Sequence, residues 1–243
     1  MNGPKTTEGL NPVGNKLEKH ANPVQYYVKF SFGLTYIFLL TTATITFIEA
    51  MRTKSPMVRH ILNLETAVSV IAGYFYSIFL EKINAYEKED KKIDWADITS
   101  TRYIDWAMTT PLMLLVLCLV LAQNIKKSVS LKVITAVVVL NYVMLYLGYL
   151  GESNAWPRLK AMLLGFVAFF GMFYLIFTNY VAPKFVRFNY VYYGFFASVW
   201  AMYGLVYLLA EDYKNIAMNV LDCVAKCFVG LGLWVYFSKI MVV

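Results

Sequence analysis

The sequence predicts an all-α membrane protein: a seven-transmembrane helix bundle with its N-terminus extracellular and its C-terminus cytoplasmic. Three observations carry this expectation. Of the 243 residues, 59% are hydrophobic and only 15% charged, with a mean hydropathy of +0.55, far above an ordinary soluble domain. The charged residues cluster between apolar runs, and seven of those runs reach spanning length, which needs roughly 20 mainly apolar residues. Lysine and arginine are also distributed unevenly among the connections, which orients the chain.

The elements follow in order. Residues 1–24 form a polar N-terminal tail without an apolar core, unlike a cleaved signal peptide. Residues 25–243 form the helical domain, with spans at 25–51, 57–81, 100–123, 131–150, 157–181, 187–210 and 215–240. The connections are short, so sequential neighbours run antiparallel and no room is left for a soluble domain. The two halves show no repeat, which argues against an inverted-repeat transporter. Cys118, Cys223 and Cys227 all lie inside apolar runs and read as buried free thiols.

Orientation follows from the loop charges. Arg52, Lys54, Arg59, Lys126, Lys127, Lys132, Lys184, Arg187 and Lys239 give one side nine positive charges and no acid. The connections on the other side, with the tail, sum to −1. The basic side is cytoplasmic. The net charge of +7 is therefore an orientation signal. A nucleic-acid partner is not expected, because no soluble face exists to carry a basic patch.

Few ionisable residues fall within the spans: Lys29, Glu49, Glu65, Arg102, Asp105, Asp222 and Lys226. Lys29 and Glu49 lie near helix ends and can snorkel. Glu65 lies deeper and either faces a water-filled path or stays protonated in place. Charges at mid-membrane depth are costly and usually serve a function. Lys226 and Asp222 lie four residues apart and share a helix face. A buried lysine beside a carboxylate suits a covalent carbonyl cofactor with its counter-ion. Arg102, Asp105 and Thr109 share a face of the third span, and Asn219, Asp222 and Lys226 repeat that spacing in the seventh. Two cations and two anions from these stripes would make a neutral quartet that a low-dielectric core tolerates. A purely structural ion-pair cluster is the alternative reading. A flat apolar slot for a long ligand could be built from Trp106 and Trp200, with Tyr203 and Met144 at its edges.

The run 102-RYIDWAMTTPL-112 in the third span and LDCVAK, residues 221–226, in the seventh resemble the signatures of microbial (type 1) rhodopsins. The resemblance extends over all seven spans, loosely in the first, second and fifth. It implies that Lys226 binds all-trans-retinal as a protonated Schiff base. Asp105 would be the primary counter-ion and proton acceptor, Asp222 the second counter-ion, and Arg102 would lie on the extracellular side of the pair. Trp106, Thr109 and Thr110 of the same run belong to the implied retinal site. So do Asn141, Met144 and Gly148 in 141-NYVMLYLG-148, and Trp200 and Tyr203 in 200-WAMYG-204, where Gly204 replaces the family's proline.

Within that family the implied functions divide. Outward proton pumps carry a second carboxylate eleven residues after the counter-ion, where this chain has Val116. With no titratable relay in the third span, reprotonation should be slow. Ser31, Glu65 and Asn219 are expected to line a polar seam between the first, second and seventh helices, and acids in such a seam favour cations. The second and seventh spans look most similar to rhodopsins of large algal-infecting viruses, one group of which are cation channels. The expectation is a light-gated cation channel rather than an enzyme, moving small cations or protons. A slow outward proton pump and a sensor with a separate transducer are the alternatives. The expected location is a plasma membrane, in contact with lipid and open to homo-oligomers.

Overall fold

The computed structural model describes residues 23–89 and 91–238, so nearly all of the polar tail, together with Lys239, lies outside the described residues. Seven helices follow: α1 Pro23–Arg52, α2 Pro56–Lys88, α3 Trp95–Asn124, α4 Leu131–Glu152, α5 Arg158–Val181, α6 Arg187–Val206 and α7 Glu211–Ser238. They close a ring in which sequential neighbours pack together and α1 also packs on α7. The chain is an integral multi-pass membrane protein. All three cysteines are buried free thiols, as expected.

Local chemistry explains the boundaries. Ser55 caps α2 by accepting from the Val58 N–H at 3.4 Å, and Pro56 takes the first helical position, where a missing donor costs nothing. Asp94 caps α3 by accepting from the amides of Ala96 and Asp97. The expected connection between the second and third spans, residues 82–99, is mostly helix. α2 continues to Lys88, its inward face carried by Ile83, and Lys82 ties it to Asp97 at 2.6 Å and to Thr101. Charge marks the end of the apolar layer here, not the end of the helix. α6 stops at Val206, short of its expected end at 210, and α7 starts at Glu211, ahead of its expected start at 215.

Pro111 lies inside α3 and removes the N–H that would bond to the carbonyl of Ala107. The hydroxyl of Tyr142 on α4 donates to that carbonyl at 3.1 Å, so the backbone acceptor is satisfied inside the membrane layer. Two stretches widen to π-helical turns: Phe177–Val181 at the end of α5 and Cys223–Phe228 in α7, which contains Lys226. Such turns often mark functional positions. Six of the helices are long and apolar enough to cross a membrane among the described residues; α6 has the length but not the hydropathy. Its tyrosines at 190, 192, 193 and 203, with Asn189 and Trp200, dilute the apolar character.

Candidate functional site

The π turn of α7 and the middle of α3 face each other and bring the expected quartet together. Lys226 Nζ donates to Asp105 Oδ2 at 2.9 Å and lies 3.5 Å from Asp222 Oδ1. Arg102 Nη1 lies 3.6 Å from Asp222 Oδ2. All four side chains are almost completely buried. Two cations and two anions share one buried volume, an arrangement in which breaking one pair strands a charge.

The two carboxylates are held differently. Asp222 accepts from the hydroxyls of Tyr76 and Tyr203, each at 2.7 Å. Asp105 accepts from Lys226 alone, and its Oδ1 has no partner. Arg102 donates to the side-chain oxygens of Asn219 at 2.9 Å and Asn215 at 3.1 Å. Asn219 in turn donates to Ser31 Oγ at 2.9 Å.

From this quartet an apolar slot runs between α3, α4, α5 and α6. Its lining includes Trp106 and Thr110 of α3, Met144 and Gly148 of α4, Trp200 and Tyr203 of α6, and Lys226 and Asp222. Trp106 meets Tyr203 edge-on at 5.5 Å. Asn141 and Thr109, also expected at the site, bond to its wall rather than open into the slot. Asn141 stands behind the wall, donating to Thr110 Oγ1 at 2.8 Å, and Thr109 turns back to the carbonyl of Asp105. α5 supplies a whole wall through Ala161, Met162, Gly165, Phe166 and Phe169, none singled out from the sequence. At Gly204 the missing side chain has a use: an added Cβ would lie 2.5 Å from Phe166 Cζ, so glycine lets that ring close the slot.

The expected seam is divided. Ser31 and Asn219 do meet, but in the extracellular half beside Arg102. Glu65 is 2% exposed and lies in the cytoplasmic half, where a Cβ on Gly230 would be 3.1 Å from its Oε2. Gly230 is one turn beyond Lys226 on the same face of α7. Leu39, Ala72 and Cys227, near the middle of α1, α2 and α7, belong to one apolar cluster and have no exposure. Glu65 is therefore a titratable group on the cytoplasmic side of Lys226, which the reading of the third span alone did not find.

The sequence matches the bacteriorhodopsin-like protein family over residues 27–240. The chain belongs to that family. It is 28% identical over 229 residues to the green-light absorbing proteorhodopsin of Gamma-proteobacterium EBAC31A08, covering 86% of this chain and 85% of the relative. Among solved structures, the viral rhodopsin OLPVRII is 43% identical with a TM-score of 0.81, covering 88% of this chain and 98% of that one. A thermophilic rhodopsin is 24% identical with a TM-score of 0.71, covering 88% of this chain and 93% of that one, a likeness of fold. The chain is a microbial rhodopsin resembling viral ones, and this light-responsive family implies a retinal chromophore. The site fits such a group. The slot is long, apolar and aromatic-walled, a buried amine stands at one end, and the Trp200 indole N–H is buried within it without a protein partner.

Proposed function

We propose that this rhodopsin is an outward light-driven proton pump in which Asp105 receives the proton and Glu65 resupplies it. The position of Glu65, one turn of α7 on the cytoplasmic side of Lys226, carries the reading. All-trans-retinal bound to Lys226 supplies visible absorption and a light-driven change of shape beside the lysine nitrogen. Asp105 Oδ2 accepts a hydrogen bond from the lysine nitrogen, so an acceptor stands within proton-transfer reach of it. Asp222 is the poorer acceptor, because two tyrosine hydroxyls and Arg102 stabilise its charge whereas one oxygen of Asp105 has no donor. Arg102, Asn215 and Asn219 provide polar groups leading outward. On the cytoplasmic side Val116, Leu117, Val120 and Leu121 keep the interior dry, so Glu65 is the group placed to return a proton.

A light-gated cation channel is the second reading. It is favoured by the buried hydroxyl stripe Ser31, Thr35, Thr42 and Thr46 on α1, which faces α2 and α7. In that reading the apolar cluster at Leu39 is the closed gate. In either case the site of action is the plasma membrane of the host or expressing cell, with protons or small cations as the transported species.

Voltage clamp of retinal-supplied cells separates the readings. A pump gives light-driven current that stays outward across the accessible voltage range. Current that reverses at the equilibrium potential of a cation would replace the pump with the channel. No current at any voltage would leave a sensor.

A further inference from the structure

We infer that Phe32 and Phe79 are positioning residues whose ring faces hold the Arg102 guanidinium against Asp222. The guanidinium carbon lies 5.3 Å from the ring centroid of Phe32 on α1 and 5.2 Å from that of Phe79 on α2. The rings lie 5.3 Å apart, both are fully buried, and Tyr76 braces them at 5.8 and 5.4 Å.

Arg102 needs such support. Its hydrogen bonds go to neutral amide oxygens and to a tyrosine hydroxyl at 3.5 Å, and its Nε has no partner. Its nearest anionic oxygen is 3.6 Å away on Asp222, a carboxylate it shares with Lys226. A buried cation with so little direct compensation gains from the negative faces of aromatic rings, all the more when it is desolvated. The rings also fix position. Asn215 and Asn219 form a two-step ladder along α7, and an unclamped guanidinium could slide one turn outward along it, away from Asp222. This inference concerns where the positive charge sits and holds whether the protein pumps or conducts.

The test is an acid titration of visible absorbance in the purified, retinal-loaded protein. Arg102 helps keep Asp105 and Asp222 ionised. The groups facing this volume are Tyr76 from α2, Tyr203 from α6, Asp222 and Lys226 from α7, and the hydroxyls of Ser31 and Thr35 from α1. Phe79→Leu and Phe32→Leu keep the apolar bulk but lose the ring face. Each should raise the midpoint of the acid-induced colour change by about 1 pH unit, the equivalent of 1.36 kcal/mol. Fluorinated phenylalanines at position 79 keep the shape, and the midpoint should climb with each added fluorine. In an Arg102→Gln background Phe79→Leu should no longer move the midpoint, because the interaction it removes is already gone. An unmoved midpoint in the leucine and fluorinated proteins overturns the inference. So does an equal shift with and without Arg102.

Discussion

On the extracellular side of Lys226 the interior is polar and cross-tied; on the cytoplasmic side it is mainly apolar, and its buried hydroxyls and Asn189 bond close to home. The extracellular half holds Arg102, Asn215, Asn219, Tyr76 and Ser31 in one hydrogen-bonded set. Nearer that surface, Lys214 and Glu152 are buried together at 2.8 Å, and Arg158 and Glu211 complete a second neutral quartet. The cytoplasmic half has Val116, Leu117, Leu121, Phe196, Val229 and Leu233, with Glu65 as its buried acid among the described residues. The difference teaches how direction can be built into one fold. In the proposed pump, a proton set free at the lysine would meet acceptors on one side and an apolar barrier on the other, and return from the cytoplasm would depend on a single carboxyl group.

Four substitutions break or sharpen that contrast, in descending order of effect. Lys226→Ala removes the amine where the two halves meet and should abolish visible absorbance after all-trans-retinal is added. A normal visible band would move the attachment point elsewhere. Next, Lys214→Met strands two carboxylates on the extracellular side with Arg158 alone between them. Losing one partner of a buried pair costs about 3 kcal/mol, so thermal melting in detergent should begin many degrees lower; wild-type melting would mean the quartet adds little.

Glu65→Gln comes third and reports on the cytoplasmic side. Recovery of dark absorbance after a flash should slow about 100-fold, the low end of what a positioned proton donor contributes, with little change of colour. Recovery at the wild-type rate would remove Glu65 from the path. The smallest effect belongs to an exposed pair. Lys29 and Glu87 lie 2.6 Å apart with 40% and 51% of their side chains accessible. Lys29→Met should cost no more than about 0.5 kcal/mol, as exposed pairs do, measured by the same melting experiment that registers Lys214.

The contrast between the halves was only partly legible in the sequence. Seven spans follow from apolar length, and the quartet follows from i, i+3, i+7 spacing on two helices. Those signals lie within one segment and need no knowledge of packing. The place of Glu65 beside Gly230 depends on how α2 seats against α7, and no spacing encodes that. Tyr76 is one of 19 tyrosines, and nothing in its neighbourhood separates it from an interface anchor. The wall from α5 consists of apolar and glycine residues in an apolar helix, so it carries no polar signal. Glu152 and Lys214 read as loop charges because they end apolar runs; burial comes from the partner each finds across the bundle.

The tyrosine-rich α6 has a consequence for how the chain reaches its membrane. A nascent segment enters lipid by itself only when its own transfer energy is favourable, and α6 is the helix that falls short. Its polar groups are answered by neighbours: Asn189 by the carbonyls of Leu121 and Tyr180, Tyr193 by that of Phe173, Tyr203 by Asp222. Those partners lie on α3, α5 and α7. The partners on α3 and α5 are synthesised before α6, so its insertion can lean on helices already made, and among these groups Tyr203 alone gains its partner only once α7 has emerged.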